Sequence, residues 1–204
     1  MTRSRFLSLA GVVVLLGAVL PPLHSAADER FSAHMVQHLL IMLVAPALFV
    51  WGSTRTARPS RLSPLLVAVV NLVVLWIWHL PRLYDAALDI PPLHVLEHVS
   101  FFVAGLLFWR VVAGRTEAGH PARVGLVFVT MLQSGALGAL ITFANGVLYR
   151  SHVSTTRGLS PLEDQQLAGV IMWVPAGAVY LIVLLALLAQ MLRGYPQAAA
   201  VDEP

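Results

Sequence analysis

Two histidine pairs carry the chain's most evident chemistry: His34 and His38 in FSAHMVQHLL, and His94 and His98 in PPLHVLEHVSFF. Residues four apart share a helix face, with Cβ atoms about 5–6 Å apart, so each pair can offer both imidazoles to one ion. Both pairs open long apolar runs, and His79 closes another in WIWHLP. Ionisable side chains within membrane segments mark functional sites by default. Imidazole suits zinc, copper, iron and nickel, and thioether sulfur adds a preference for Cu(I). Cysteine is absent, which excludes thiolate ligands, disulfides and a catalytic thiol, so soft-metal chemistry has to rest on Met and His. Met35 and Glu97 lie on the same turns as the pairs, though off the His faces. Asp164 and Gln165 open the last apolar run, with Met172 two turns inside it.

The elements that must position these residues are membrane helices. Of 204 residues, 58% are hydrophobic and 11% charged, against about 25% charged in a soluble domain; the mean hydropathy is +0.78. Six apolar runs are long enough for a hydrocarbon core of about 30 Å: 6–23, 34–52, 64–80, 93–113, 122–146 and 166–192. All are expected to be helices, because an open strand cannot satisfy its backbone in lipid. The chain therefore reads as all-α, a polytopic membrane helix bundle of about six transmembrane helices. It forms one domain over 1–194, with a short disordered tail over 195–204. The longest loop is expected between 147 and 165.

Orientation follows from arginine, the only basic residue besides histidine. With the N-terminus inside, Arg3, Arg5, Arg55, Arg58, Arg61, Arg110, Arg115, Arg123 and Arg193 fall on the inner face, and Arg30, Arg82, Arg150 and Arg157 on the outer. That asymmetry obeys the positive-inside rule and makes both termini cytoplasmic. The basic balance thus reports topology; no nucleic-acid partner is implied, whereas the run Arg55, Arg58 and Arg61 is suited to touch anionic membrane lipid. His24, His34, His38, His79, His94, His98 and His152 all fall at the outer face, and only His120 inside. Residues 1–27 read either as a cleaved secretory signal or, as preferred here, as a retained first helix; both readings put residue 28 outside.

Other features read as structure. His24, His120 and His152 suit the interface, with polar tips among headgroups. SGALGA, 134–139, lets the fifth helix approach a neighbour closely. Pro46 and Pro175 are expected to kink their helices. Trp76, Trp78, Trp109 and Trp173 suit interfacial belts, and Asn71 and Gln133 are placed to bond between helices.

Three stretches, FSAHMVQHLLIMLVAPALFVWG, HVLEHVSFFVAGLLFWRVV and LSPLEDQQLAGVIMWVP, resemble the CtaG family of integral-membrane cytochrome c oxidase assembly factors found in Bacillus and actinobacteria. The likeness runs from about residue 5 to 190. Its HMxxH motif matches His34, Met35 and His38; its HxxEH motif matches His94, Glu97 and His98. Its DQxxAGxxMW motif matches Asp164, Gln165, Ala168, Gly169, Met172 and Trp173. The resemblance implies a non-enzymatic role in forming an active haem–copper oxidase, with an oxidase subunit as partner, in the bacterial cell membrane. Family members commonly have a seventh span, and the double proline usual after the second helix's VAP is single here.

The residues and the resemblance together point to a metal cluster of His34, His38, His79, His94 and His98 at the outer mouth, holding copper. Met35 and Met172 would pass Cu(I), and Asp164 would orient a ligand histidine. Two alternatives stay open. Histidines on facing helices can ligate haem. Three imidazoles around zinc, with Glu97 or Asp164 as general base, would make an intramembrane hydrolase.

Overall fold

The computed structural model describes residues 2–53, 62–114, 119–152 and 158–194. The arginine run Arg55 to Arg61 and the expected tail 195–204 lie outside the described residues. Among the described residues there is no strand. The helices are α1 Arg3–Val19, α2 Leu23–Glu29, α3 Phe31–Leu39, α4 Ala45–Gly52, α5 Pro64–Trp78, α6 Pro81–Asp89, α7 Pro91–Ala113, α8 Gly119–Thr142 and α9 Pro161–Gly194, with a π-helical turn Leu40–Val44 joining α3 to α4.

Five stretches are long and apolar enough to cross a bilayer: Arg3–Glu29, Phe31–Gly52, Pro91–Ala113, Gly119–Thr142 and Pro161–Arg193. The pair α5 and α6, bent by 73° at the intervening residues, gives a sixth. The membrane bundle expected from the sequence is therefore present, with its boundaries moved by proline. Pro64, Pro81 and Pro91 each sit in a first helical turn, where a missing N–H costs nothing. The residues before Pro81 and Pro91, Leu80 and Ile90, are extended, as a following proline demands. The third span thus stops at Trp78, and α6, an element the apolar runs did not reveal, turns aside from it.

The last helix starts at Pro161, five residues before the expected 166. Ser160 and Glu163 form a capping box: the Ser160 N–H donates to Glu163 Oε2 at 2.7 Å and the Glu163 N–H to Ser160 Oγ at 3.3 Å. At the other end of α8 the helix stops at Thr142 rather than 146.

Pro46 acts differently from a simple kink. It sits in the first turn of α4, behind the π-helical turn, a recurrent way to absorb an extra residue. Proline has no N–H to offer the carbonyl four residues back, which here is that of Met42. Gly105 of α7 packs directly on that carbonyl: a Cβ at position 105 would collide with Met42 O and come within 2.9 Å of its carbonyl carbon. One residue on, the Trp109 indole donates to the Leu43 carbonyl at 2.8 Å. Pro175, by contrast, lies within an uninterrupted α9.

Close approach also joins α8 to α9. A Cβ on Gly138 would lie 2.5 Å from Trp173 Cβ, and one on Gly169 2.6 Å from Thr142 N. This is the packing expected of SGALGA: in lipid, contact between helices depends on small residues that let backbones meet. Asn71 Nδ2 donates to the Ala104 carbonyl of α7 at 3.3 Å, and Gln133 Oε1 accepts from Trp76 Nε1 at 3.0 Å. Both amides bond between helices as anticipated.

The interfacial placement of the tryptophans is corrected for Trp78 and Trp109. Both are buried, Trp109 in the apolar cluster at the α7 C-terminal end and Trp78 in the cluster around Phe31, Met35, Tyr84 and Phe101. Buried indole N–H groups need acceptors, and Trp78 Nε1 finds Ser100 Oγ at 2.7 Å.

Gly105→Ala should lower stability by about 1–3 kcal/mol, the usual cost of overpacking, seen as a reduced apparent Tm in detergent. Gly177→Ala, where a Cβ meets nothing within 4 Å, should leave the melting curve unchanged or raise it slightly.

Candidate metal centre

The elements deliver the histidines to one end of the bundle. His34 rides on the first turn of α3 and His38 on its last, His94 and His98 lie on the first turns of α7, and His79 caps the C-terminus of α5. The N-terminus of α3 has no side-chain cap of its own. Asp164 of α9 supplies one from across the bundle: its Oδ2 accepts the Phe31 N–H at 2.8 Å and its Oδ1 the Ser32 hydroxyl at 2.5 Å. A carboxylate at a helix N-terminus satisfies a free N–H and complements the dipole. Asp164 therefore fixes where α3 begins. Asp164 was expected to orient a ligand histidine; its hydrogen bonds go to Phe31 and Ser32, at the start of the helix that carries His34 and His38.

Four side chains, His34, His94, Glu97 and His98, bring one ligand atom each within 4.8 Å of one another. The ring centroids of His34 and His94 are 5.6 Å apart and nearly parallel, and those of His94 and His98 are 4.3 Å apart. The helical wheel's exclusion of Glu97 from the His face is thus corrected: its carboxylate is fully buried and enters the cluster. The usable signal was its i, i+3 spacing from His94, which also brings side chains together.

His38 and His79 stand apart from that compact set. His38 touches it, with centroids 4.2 Å from His34 and 5.7 Å from His98. His79 lies one step further in, 6.0 Å from His38. The five expected histidines therefore converge as a chain rather than as a ring. Met35 and Met172 are buried beside His38 and His79, deeper than the four-residue cluster.

The donor set fits a metal ion by its unmet hydrogen-bonding capacity. Both nitrogens of His34 and of His38, Nε2 of His94 and of His98, and both oxygens of Glu97 are buried without a hydrogen-bond partner. Glu97 Oε1 lies 3.5 Å from His38 Nε2, and Oε2 lies 3.9 Å from His94 Nε2. These are electrostatic contacts, too long for good hydrogen bonds. Buried polar atoms are nearly always satisfied, so a cluster of lone pairs facing each other needs a cation or protons between them.

The rim contains two residues assigned above to the interface. His24 stacks on His94 at 5.8 Å, and Gln37 Nε2 ties that corner to the Ala18 carbonyl at 2.8 Å. His152 is buried rather than interfacial: its Nε2 meets the Tyr84 hydroxyl at 2.8 Å, and its ring stacks on Phe31 and lies 6.2 Å from His34. Burial holds this imidazole below the usual histidine range, with Asp164, Asp85 and Asp28 pulling the other way. Its loop is pinned by Asp85 Oδ1, which accepts from Ser151 Oγ at 2.6 Å and from the Arg150 N–H at 3.1 Å. Nothing local in RSH marks His152, because its place depends on where the loop returns.

Asp164→Ala should free the Phe31 N–H and the Ser32 hydroxyl and cost about 1.5–3 kcal/mol, the range for hydrogen bonds to a charged group. Asp164→Asn should cost less, since one acceptor remains. Chemical or thermal unfolding in detergent measures both.

Among known proteins, the chain is similar to uncharacterized mycobacterial proteins. It is 28% identical to Mb0105 of Mycobacterium bovis and to MT0111 of Mycobacterium tuberculosis, over 202 residues in each case, covering 81% of this chain and 30% of each relative. It is 25% identical to ML1998 of Mycobacterium leprae over 221 residues, covering 91% of this chain and 33% of the relative. The chain thus spans about a third of the length of these curated relatives. No solved structure matches it. The family described as cytochrome c oxidase caa3 assembly factor matches over residues 2–194. With nearly its whole length accounted for in that way, the chain belongs to the caa3-type cytochrome c oxidase assembly factors.

Proposed function

We propose that this assembly factor takes up copper at the outer face of the bacterial cell membrane and presents it to a nascent oxidase subunit. The observation that carries the reading is the convergence of His34, His94, Glu97 and His98, with ligand atoms within 4.8 Å and no hydrogen-bond partners for most of them. Imidazole and carboxylate without thiolate suit Cu(II) or zinc, and the outer compartment to which the arginine asymmetry assigns this end favours copper in its oxidised form. In that orientation both termini are cytoplasmic and the cluster faces the side on which copper arrives. Copper is cargo here: the chain performs no turnover, and its residues bind, orient and release the ion. His38 and His79 extend the donor set inward, and Asp164 and His152 hold the helices and loop that shape it.

A second reading has one observation in its favour. Between α1 and α7 lies a groove of about 490 Å³, lined by Leu15, Val19, Val99 and Phe102 with His24, His94 and His98 at its polar end. That volume falls within the range of small-molecule and cofactor sites, and an apolar slot edged by imidazoles suits haem.

Elemental analysis of detergent-purified protein after Cu(II) loading separates these readings. About one copper per chain is expected, with affinity reduced at least about 100-fold in His34→Ala/His94→Ala, beyond the effect of removing an outer-shell partner. Unchanged copper stoichiometry in that variant would sink the assignment. A Soret band in the purified protein, lost with His94→Ala/His98→Ala, would transfer it to haem.

A further inference from the structure

Below the four-residue cluster, on the bundle side of His38, is a separate cavity of about 40 Å³. Its lining includes Met35, His38, His79, Gln133 and Met172. A single water needs about 10–15 Å³ of such volume, so the space accommodates one ion or very few waters.

His79 gives the cavity a defined chemistry. Its Nδ1 lies 2.7 Å from the carbonyl of Leu75, one turn back in α5. A carbonyl only accepts, so Nδ1 carries the proton and donates it. That leaves Nε2 as a bare lone pair, and it is buried with no partner. A carbonyl on one ring nitrogen is the usual way to prepare the other as a metal ligand. The thioethers of Met35 and Met172 offer no hydrogen to this lone pair, yet they are soft donors that favour Cu(I). His38 lies between the two sites: its centroid is 5.7 Å from that of His98 in the outer cluster and 6.0 Å from that of His79, and neither of its nitrogens has a hydrogen-bond partner.

We infer that this cavity is a second metal site, for a soft monovalent cation of the Cu(I) class, held by His79 Nε2 and the sulfurs of Met35 and Met172, with His38 exchanging between it and the outer cluster. The inference rests on the copper reading only for the identity of the cargo; the donors themselves define a soft site beside a harder one. The outer donors, imidazole and carboxylate, suit a divalent ion, whereas the inner ones replace carboxylate by thioether. A monovalent ion also costs less to bring deeper into a low-dielectric bundle than a divalent one.

The test uses silver(I) as the inner-site probe and Cu(II) as the outer-site probe, on the full chain in detergent. In wild type, X-ray absorption of the silver-loaded protein should show sulfur together with nitrogen neighbours. Met35→Leu/Met172→Leu, which keeps the volume nearly constant, should weaken silver(I) binding at least tenfold and retain Cu(II). His94→Ala/His98→Ala should do the reverse. Silver without sulfur neighbours in wild type, or silver affinity unchanged in the methionine variant, would overturn the second site and leave a water-filled cavity. Absence of Cu(II) binding beside sulfur-ligated silver would overturn the outer site and uphold the inner one. The wild-type absorption measurement needs no variant to fold, and retained Cu(II) binding certifies that the methionine variant has folded.

Discussion

A buried lone pair must face something positive, and that requirement organises the polar end of this bundle. Glu97 is fully buried among His34, His38, His94 and His98, with neither oxygen hydrogen-bonded. A carboxylate and several imidazoles cannot be withdrawn from water in this way at no cost; they need protons or a cation shared among them. Every neighbouring element restricts their freedom to escape. α6 lies across the end of the bundle and contributes the buried Tyr84, the loop over 149–152 places His152 against Phe31, and Asp164 holds the first turn of α3. The cluster is therefore prearranged, which would lower the ordering cost of binding the ion proposed for it.

Packing in the rest of the molecule serves that placement. Helices in lipid gain no hydrophobic driving force by meeting, so contact depends on close backbone approach and on hydrogen bonds between helices. The Gly105 contact with Met42 O sets the depth of α7 against the π-helical turn, and hence the height of His94 and His98 relative to His34 and His38. The Gly138–Trp173 and Gly169–Thr142 contacts set α9 against α8, and hence the position of Asp164. The π-helical turn is itself coupled to the site: it follows directly on the helix that carries His34 and His38, and it lets Pro46 enter the span without an interrupted chain. The arrangement of the histidine cluster at one end thus depends on steric contacts at mid-span.

The donor types are graded along the bundle axis. At the mouth, imidazoles combine with a carboxylate; further in, imidazole combines with thioether. The penalty of burying a cation grows with depth and with charge, so the proposed monovalent ion suits the inner donors better than a divalent one. His38, in ring contact with residues of both groups and hydrogen-bonded to none, is the side chain whose position connects them.

Much of this was determined by the sequence alone. Apolar run length required membrane helices, i, i+4 spacing required that each histidine pair share a face, and the distribution of the pairs put them at one end of the bundle. SGALGA was legible as a close helix contact because only small side chains permit one. What one-dimensional spacing cannot supply is azimuth and reach between elements. Whether α3 and α7 turn their histidines toward each other, whether Glu97 points between them, and whether His79 meets the outer set or lies behind it depend on helix rotation, which the glycine contacts and Pro46 decide. His152 was illegible for a related reason: it comes to the site on a returning loop. Asp164 was legible as a supporting residue, but its partners were not, since they lie on a helix more than a hundred residues away in sequence. Local pattern fixes the face a side chain occupies on its own helix; only the folded bundle decides what that face meets.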